Sequence, residues 1–406
     1  MKKKNRWIIL LASIVMNLCI GSAYAWSVFQ NPLIELFDWT TSQASLAFTI
    51  SLSLVPLAMI PAGKIQDKKG PRIVTLVGGI IFGLAIFLAG KVTSLAGLYL
   101  TYGVLGGIGI GTVYACTVGN TIKWFPDKRG LAGGLIAAGF GMGSVVFAPV
   151  AVKLMPSHGV LGTFSIFGVV FALGIIISSI FMASPDKDWI PENWTPAEGK
   201  VKILGADKTP GEMLKTTSFY LIWGMYIIGC VGGLMIIGHA SPIGQEKIGL
   251  TPQVAAVAIS FLGLANSGGR IFWGSISDRI GRYNALALMF AVSAVCLIIL
   301  NMASTFIPFL IGVCGIAMSF GGYLGIMPSV AADNFGSKNI GVNYGILFTA
   351  FGIAAFIGPR LAASVKQASG GDYTIAFVIV AAMNIVGIVL ALVVKKQHEK
   401  ELEKIA

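Results

Sequence analysis

The chain has 406 residues, of which 55% are hydrophobic and only 11% charged. Soluble domains carry about a quarter charged residues, so the composition excludes a soluble globular fold and points to an integral membrane protein. A formal charge of +12 reports loop topology in such a protein and gives no reason to invoke nucleic acid.

The N-terminus reads MKKKNR, then an apolar run, then Ala23-Tyr24-Ala25. The run is longer than the 7–15 apolar residues of a signal peptide, so a first spanning helix is expected over 7–29. Spanning helices need about 20 mostly apolar residues. Eleven more follow, over 43–62, 73–91, 96–121, 130–153, 161–183, 218–240, 253–275, 284–303, 306–330, 341–364 and 373–395. The runs do not alternate, which excludes barrel strands. The expected fold is an all-α membrane protein of twelve transmembrane helices. The five cysteines lie in these runs without zinc or CxxC spacing, so no metal site or disulfide framework is expected.

Basic residues orient the spans. With the N-terminus inside, the inner segments hold Lys2, Lys3, Lys4, Arg6, Lys64, Lys68, Lys69, Arg72, Lys123, Lys128, Arg129, Arg279, Arg282 and Lys338. The outer loops hold only Lys91, Lys153, Lys247 and Lys366. The positive-inside rule then predicts a multi-pass protein of the cell membrane with both termini cytoplasmic. The longest polar stretch, 184–217, holds Pro185, Pro191, Pro196 and Pro210. It is expected to be a cytoplasmic linker between halves at 1–183 and 218–406. The halves match at an offset of 211 residues: Asp67 with Asp278, Phe140-Gly141 with Phe351-Gly352, and Gly130 with Gly341. Three matches at one offset indicate internal duplication.

GKIQDKKGPR (63–72) follows the second span and GSISDRIGR (274–282) the eighth. This pattern resembles the hallmark loop of the major facilitator superfamily, as do two six-helix pseudo-symmetric halves. In the first copy it falls on Gly63, Asp67, Lys68, Gly70 and Arg72. In the second it falls on Gly274, Asp278, Arg279 and Gly281, with Arg282 one place early. The resemblance implies a charge and helix-dipole latch on the cytoplasmic side, with gating as the role of these residues.

Charge inside the spans is scarce. Arg270 and Arg360 are the cations expected there, and such residues usually face a bundle interior or a cavity. Arg360 is expected near the outer surface, as an interfacial or outer-gate residue. Arg270 stands eight residues before Asp278, roughly 12 Å deeper. Asn266 lies one turn earlier on the same side, and Gly268 and Gly269 remove bulk beside it. No Asp or Glu sits deep in a span to neutralise it. A guanidinium matches the two oxygens of a carboxylate, so Arg270 is the candidate anion anchor. Tyr114 and Tyr24 offer hydroxyls on apolar bodies, although each also suits an interface or a packing role. His239 is a candidate proton or outer-gate site. The GxGxG run at 107–111 follows no strand and reads as helix packing.

GSAYAWSVF (21–29), DWIPENWTPA (188–197), NSGGRIFWGSISDRIG (266–281) and YGILFTAFGIAAFIGP (344–359) together resemble the oxalate/formate antiporter family, related to the monocarboxylate transporters. The resemblance implies transport of small carboxylates, with the family's arginine on Arg270 and lining positions on Asn266 and Tyr114. The family's oxalate carrier has a lysine where this chain has Phe351 after Thr349-Ala350. One cation favours a monocarboxylate such as lactate, pyruvate or formate over oxalate. Proton-linked relatives have an aspartate where this chain has Asn266, so coupling to protons or to a counter-anion stays open. The chain carries no G-x-x-x-x-G-K-[ST] motif and no nucleophile–base pair in the spans. A secondary transporter acting as a monomer without cofactor is expected, with an oxalate/formate-type dicarboxylate anion exchanger as the alternative; an enzyme or a non-transporting sensor is not expected.

Overall fold

The computed structural model describes residues 5–186, 189–191, 207–370 and 372–403. Residues 187–188 and 192–206 of the expected linker, with Lys2, Lys3 and Lys4, lie outside the described residues.

The first crossing is α1 (Arg6–Gly21), a 3-10 turn (Ser22–Ala25) and α2 (Trp26–Phe37). Then come α3 (Thr41–Lys69) and α4 (Pro71–Ala89). The fourth crossing joins α5 (Leu95–Leu98), a π-helical stretch (Tyr99–Leu105) and α6 (Gly106–Trp124). α7 (Arg129–Ile180) holds the fifth and sixth crossings, broken at Gly159 with φ 67° and ψ 173°. A short α8 (Pro210–Met213) precedes α9 (Thr217–Ile248), α10 (Pro252–Ile280), α11 (Arg282–Met302) and α12 (Phe306–Phe335). The eleventh crossing is α13 (Ile340–Leu347) continued by α14 (Thr349–Ala368), and α15 (Thr374–Glu403) is the twelfth. Ten of these stretches are long and apolar enough to span a bilayer. The break in α7 adds one crossing, and α10, about 44 Å long at 1.5 Å per residue, adds another.

The helices start where sequence chemistry places caps. Thr40 and Gln43 form a capping box on α3, and the Thr216 and Thr251 side chains cap α9 and α10. Both hallmark motifs, expected as loops, are helical to Lys69 and to Ile280. The apolar run measures bilayer thickness, and the helices continue into the polar layer. Each ends on a glycine of positive φ, Gly70 (86°) and Gly281 (89°), a conformation side chains resist. These two glycines are also 211 residues apart.

Within the first half α4 packs on α6 and α7; within the second α10 packs on α12, and α11 on α15. The halves meet along two seams, α7 against α10 and α12, and α3 against α13. Lipid offers no hydrophobic drive between helices, so small residues must let backbones close. A Cβ on Gly63 would land on the Gly341 carbonyl carbon, and one on Gly130 would land on the Gly274 carbonyl oxygen. The duplicated glycines of the sequence are therefore the crossing points of the two seams.

Both described chain ends lie on one face. Arg6 bonds Asp127 at 2.6 and 3.0 Å. Two residues on, Arg129 pairs with Asp333, which pairs with Arg282. The neighbouring Tyr283 ring lies 5.9 Å from His398. We refer to this as the terminal face.

Candidate functional site

The seam between α7 and α10 carries Arg270. Its main-chain carbonyl is wedged between Gly134 of α7 and Gly325 of α12, where a Cβ on Gly325 would approach it to 2.6 Å. The side chain is 1% exposed, neither snorkelling nor ion-paired to any carboxylate among the described residues. Its Nη1 donates to the Ala137 carbonyl oxygen on α7. Its Nε donates to Asn266 Oδ1 at 3.3 Å, one turn back on α10. Its Nη2 has no partner. Gly141 clears the space beside it, since a Cβ there would sit 3.2 Å from Arg270 Cζ. The glycine-rich start of α7 is thus a bed for the guanidinium.

Arg270 borders a narrow cavity lined also by Tyr24, Leu52, Val55, Tyr114, Phe140, Leu324, Phe348 and Phe351. Apart from Arg270 and the two tyrosines the wall is apolar. Phe140 and Phe351, a repeat pair, contribute one ring from each half. The Phe140 ring meets Tyr24 at 5.1 Å and Tyr114 at 5.5 Å, both edge-on. Phe351 stacks on Phe348 at 5.1 Å. Two wall residues stand where helices break: Tyr24 in the 3-10 turn, and Phe348 at the junction of α13 and α14. Discontinuous helices at a central cavity are common in transporters.

The structure therefore brings together Arg270, Asn266, Tyr114 and Tyr24. His239 and Arg360 stand elsewhere. His239 Nδ1 lies 3.3 Å from the Met235 carbonyl oxygen, and the residue lines a separate groove with Glu246, Lys366 and Tyr373. The Arg360 guanidinium stacks 3.6 Å from the exposed Phe356 ring. Neither is part of the cavity wall.

At the terminal face, Asp278 accepts bonds from the Gly130 and Leu131 amides, both at 2.9 Å. Asp67 accepts from the Val342 amide at 3.3 Å and from Lys123 Nζ at 2.8 Å. Each carboxylate thus caps the start of a helix in the other half, where unpaired amides and the helix dipole favour negative charge. Arg282 pairs with Asp278 at 2.6 Å and with Asp333 at 2.9 Å, and Arg129 reaches Asp333 at 2.6 Å. Of the motif residues, Gly63 and Gly274 form the helix crossings, while Arg72 and Arg279 are exposed and stand outside this network. Sequence reasoning missed Asp333 and the pairing roles of Lys123, Arg129 and Arg282. One signal was present: Arg282, one place early in its motif, stands four residues from Asp278, the spacing at which helical side chains meet.

Tyr226 and Tyr344 were also missed. Their hydroxyls lie 3.4 Å apart. The sites of helix breakage and the Ala137 carbonyl acceptor carry no residue-level signal.

A family model described as the Major Facilitator Superfamily matches residues 8–359. An oxalate:formate antiporter of Oxalobacter formigenes is 30% identical over 403 residues, 98% of this chain and 94% of its own. Human monocarboxylate transporter 12 is 22% identical over 438 residues, covering 98% of this chain and 83% of its own. Among solved structures, the FucP transporter in its outward conformation aligns with a TM-score of 0.74 at 15% identity, over 95% of this chain and 98% of that one.

Proposed function

Because the chain belongs to the Major Facilitator Superfamily of secondary transporters, we propose that it carries small monocarboxylates by alternating access, with Arg270 binding the carboxylate. The observation that carries this reading is the free Nη2 of a fully buried guanidinium beside an apolar cavity. An anion entering there gains a charge-assisted bond that the empty protein leaves unmade. Asn266 and Ala137 hold the other two edges of the guanidinium and fix its aim. Tyr114 orients the ligand and Tyr24 closes over it. The apolar wall suits a short methyl tail, as in L-lactate or pyruvate. A dicarboxylate would place a second charge against Phe351 or Phe348, with no second cation in the wall. Oxalate is therefore disfavoured, although one relative is named as an oxalate:formate antiporter.

In the same reading the halves are 1–183 and 218–406, with 184–217 as the linker. The terminal face is cytoplasmic, in the cell membrane, and the monomer suffices. Asp67 and Asp278 gate that face. A second reading concerns coupling. Among the described residues no acid neutralises Arg270, so the empty carrier holds an unpaired cation. That favours exchange of one anion for another over net movement. Dependence of uptake on a trans anion separates exchange from proton symport.

The test is thermal stability of the purified protein against L-lactate, pyruvate, formate, acetate and oxalate. A ligand at 100 times its Kd stabilises the native state by about 2.7 kcal/mol. Stabilisation by lactate or pyruvate with little by oxalate supports the single-cation reading. Oxalate as the strongest stabiliser overturns it.

A further inference from the structure

Several helices of this chain start in the same way. Thr40, Thr209, Thr216 and Thr251 each stand at the cap, and each side-chain oxygen accepts from the amide three residues on: Gln43, Glu212, Phe219 and Val254. The two helices that receive a carboxylate from the other half depart from this. The cap residue of α7 is Lys128, whose side chain has no acceptor, and the Leu131 amide goes to Asp278. The cap residue of α13 is Asn339, a type that caps well. Yet its side chain makes no cap bond, and its backbone, at φ −107° and ψ 23°, is not the extended form that capping takes. The Val342 amide, three residues on, goes to Asp67 at 3.3 Å instead.

The returning end of the linker accounts for the difference. Asn339 Nδ2 donates to the Lys208 carbonyl oxygen at 3.1 Å. The same carbonyl accepts from Nδ2 of the buried Asn343 at 3.0 Å. The Lys208 amide donates to the Phe335 carbonyl at 3.0 Å, and the Lys338 amide donates to Asp207 Oδ1 at 3.0 Å. These bonds lay residues 207–208 across the turn between α12 and α13 and turn the Asn339 side chain away from its own helix. At the repeat positions, 211 residues earlier, stand Lys128 and Ala132, neither able to make such bonds. Val342 has one amide hydrogen, so Asn339 and Asp67 compete for it.

We propose that Asp207 and Lys208 form a clip that holds Asn339 off the start of α13, leaving the Val342 amide to Asp67 and so keeping the terminal face shut. Asn339 is a positioning residue for that closure: released from the clip, it caps its own helix and displaces the carboxylate of the other half. The linker is then an input to the gate, since whatever lifts 207–208 favours opening. This rests on Asp67 holding that face shut, as proposed above.

The experiment follows maleimide labelling of a Gln66→Cys thiol in a background without the five native cysteines. Gln66 is 2% exposed and lies in the seam of α3 and α13, where a Cβ on Gly341 would come within 2.8 Å of its Oε1. Asp207→Ala with Lys208→Pro removes two of the clip's bonds and leaves Asn339 in place. Labelling should rise about threefold or more, the scale of one lost helix cap. Adding Asn339→Ala removes the competitor and should return the rate to within about 1.5-fold of the parent. Rescue by a further deletion is not expected of residues that only support the fold. Should the double variant aggregate, Asp207→Ala alone, at an exposed position, should raise the rate about twofold, again reversed by Asn339→Ala. A rate unmoved by loosening the clip, or unrestored by Asn339→Ala, overturns the proposal while Asp67→Asn still raises labelling. If Asp67→Asn leaves labelling unchanged, the gating role of Asp67 fails and this inference fails with it.

Discussion

Replacing Arg270 by lysine keeps the charge and removes the geometry. The guanidinium spreads its donors over three nitrogens: Nη1 bonds the Ala137 carbonyl, Nε bonds Asn266 Oδ1 at 3.3 Å, and Nη2 has no partner. A lysine ammonium gathers its donors on one nitrogen at the end of a flexible stem. It cannot lie against Ala137 and Asn266 while also reaching a carboxylate in the cavity. At least one charge-assisted hydrogen bond to the ligand is lost, a cost of about 1.5–3 kcal/mol. At about 1.4 kcal/mol per factor of ten, Kd should rise roughly 10- to 150-fold. Stability makes this readable. At a ligand concentration 100 times the wild-type Kd, a hundredfold weaker variant keeps about 0.4 of the wild type's about 2.7 kcal/mol of stabilisation. The assay is a thermal-shift titration with pyruvate, repeated by calorimetry. A Kd for Arg270→Lys within threefold of wild type would refute binding of the carboxylate through the guanidinium Nη2.

Other outcomes follow from the same geometry. Phe351→Lys puts a second cation in the wall and should improve oxalate binding at least tenfold relative to pyruvate, measured in the same titration; no gain would remove the one-cation explanation of substrate charge. Gly134→Ala drives a methyl into the Arg270 carbonyl and should destabilise by about 1–3 kcal/mol, seen as a lowered Tm. Gly268→Ala is the control: nothing lies within 4 Å of its added carbon, so Tm should hold or rise, and equal losses in both would refute the packing argument. Asp278→Asn removes the charge that caps α7 and pairs Arg282. It should raise the labelling rate of a Ser329→Cys thiol at the buried seam at least threefold, in a background without the five native cysteines. An unchanged rate would mean that Asp278 does not hold that face shut.

Much of this arrangement was readable from residues. An arginine in an apolar run signals itself because so few charges tolerate that setting, and Asn266 follows from helical spacing. The 211-residue offset pointed to Asp67 and Asp278, to the crossing glycines and to the Phe140–Phe351 pair, because duplicated residues keep duplicated surroundings. Other parts were hidden for physical reasons. The acceptor for Arg270 Nη1 is a main-chain carbonyl 133 residues away, and every residue owns a carbonyl. Tyr226 and Tyr344 look like packing aromatics until two helices bring their hydroxyls together. Asp333 fell outside the expected span 306–330 because hydropathy marks where the bilayer ends, while α12 continues to Phe335. His239 and Arg360 were expected as outer-gate candidates, and neither lines the cavity; a single sequence gives residue type and approximate height, but not which side of a helix faces the centre.

The two carboxylate caps have a consequence for how easily the halves come apart. Every partner that Asp67 and Asp278 hold across the seams is a backbone amide at the edge of the bilayer. Water solvates those same groups well. Parting the halves therefore exchanges one set of satisfied polar contacts for another and strands no polar group in hydrocarbon. The glycine crossings beside them add tight van der Waals contact but no side chains that must disentangle. A closure made this way behaves like a clasp between two wettable surfaces: firm enough to exclude solvent while shut, shallow enough in free energy for one bound anion to tip it.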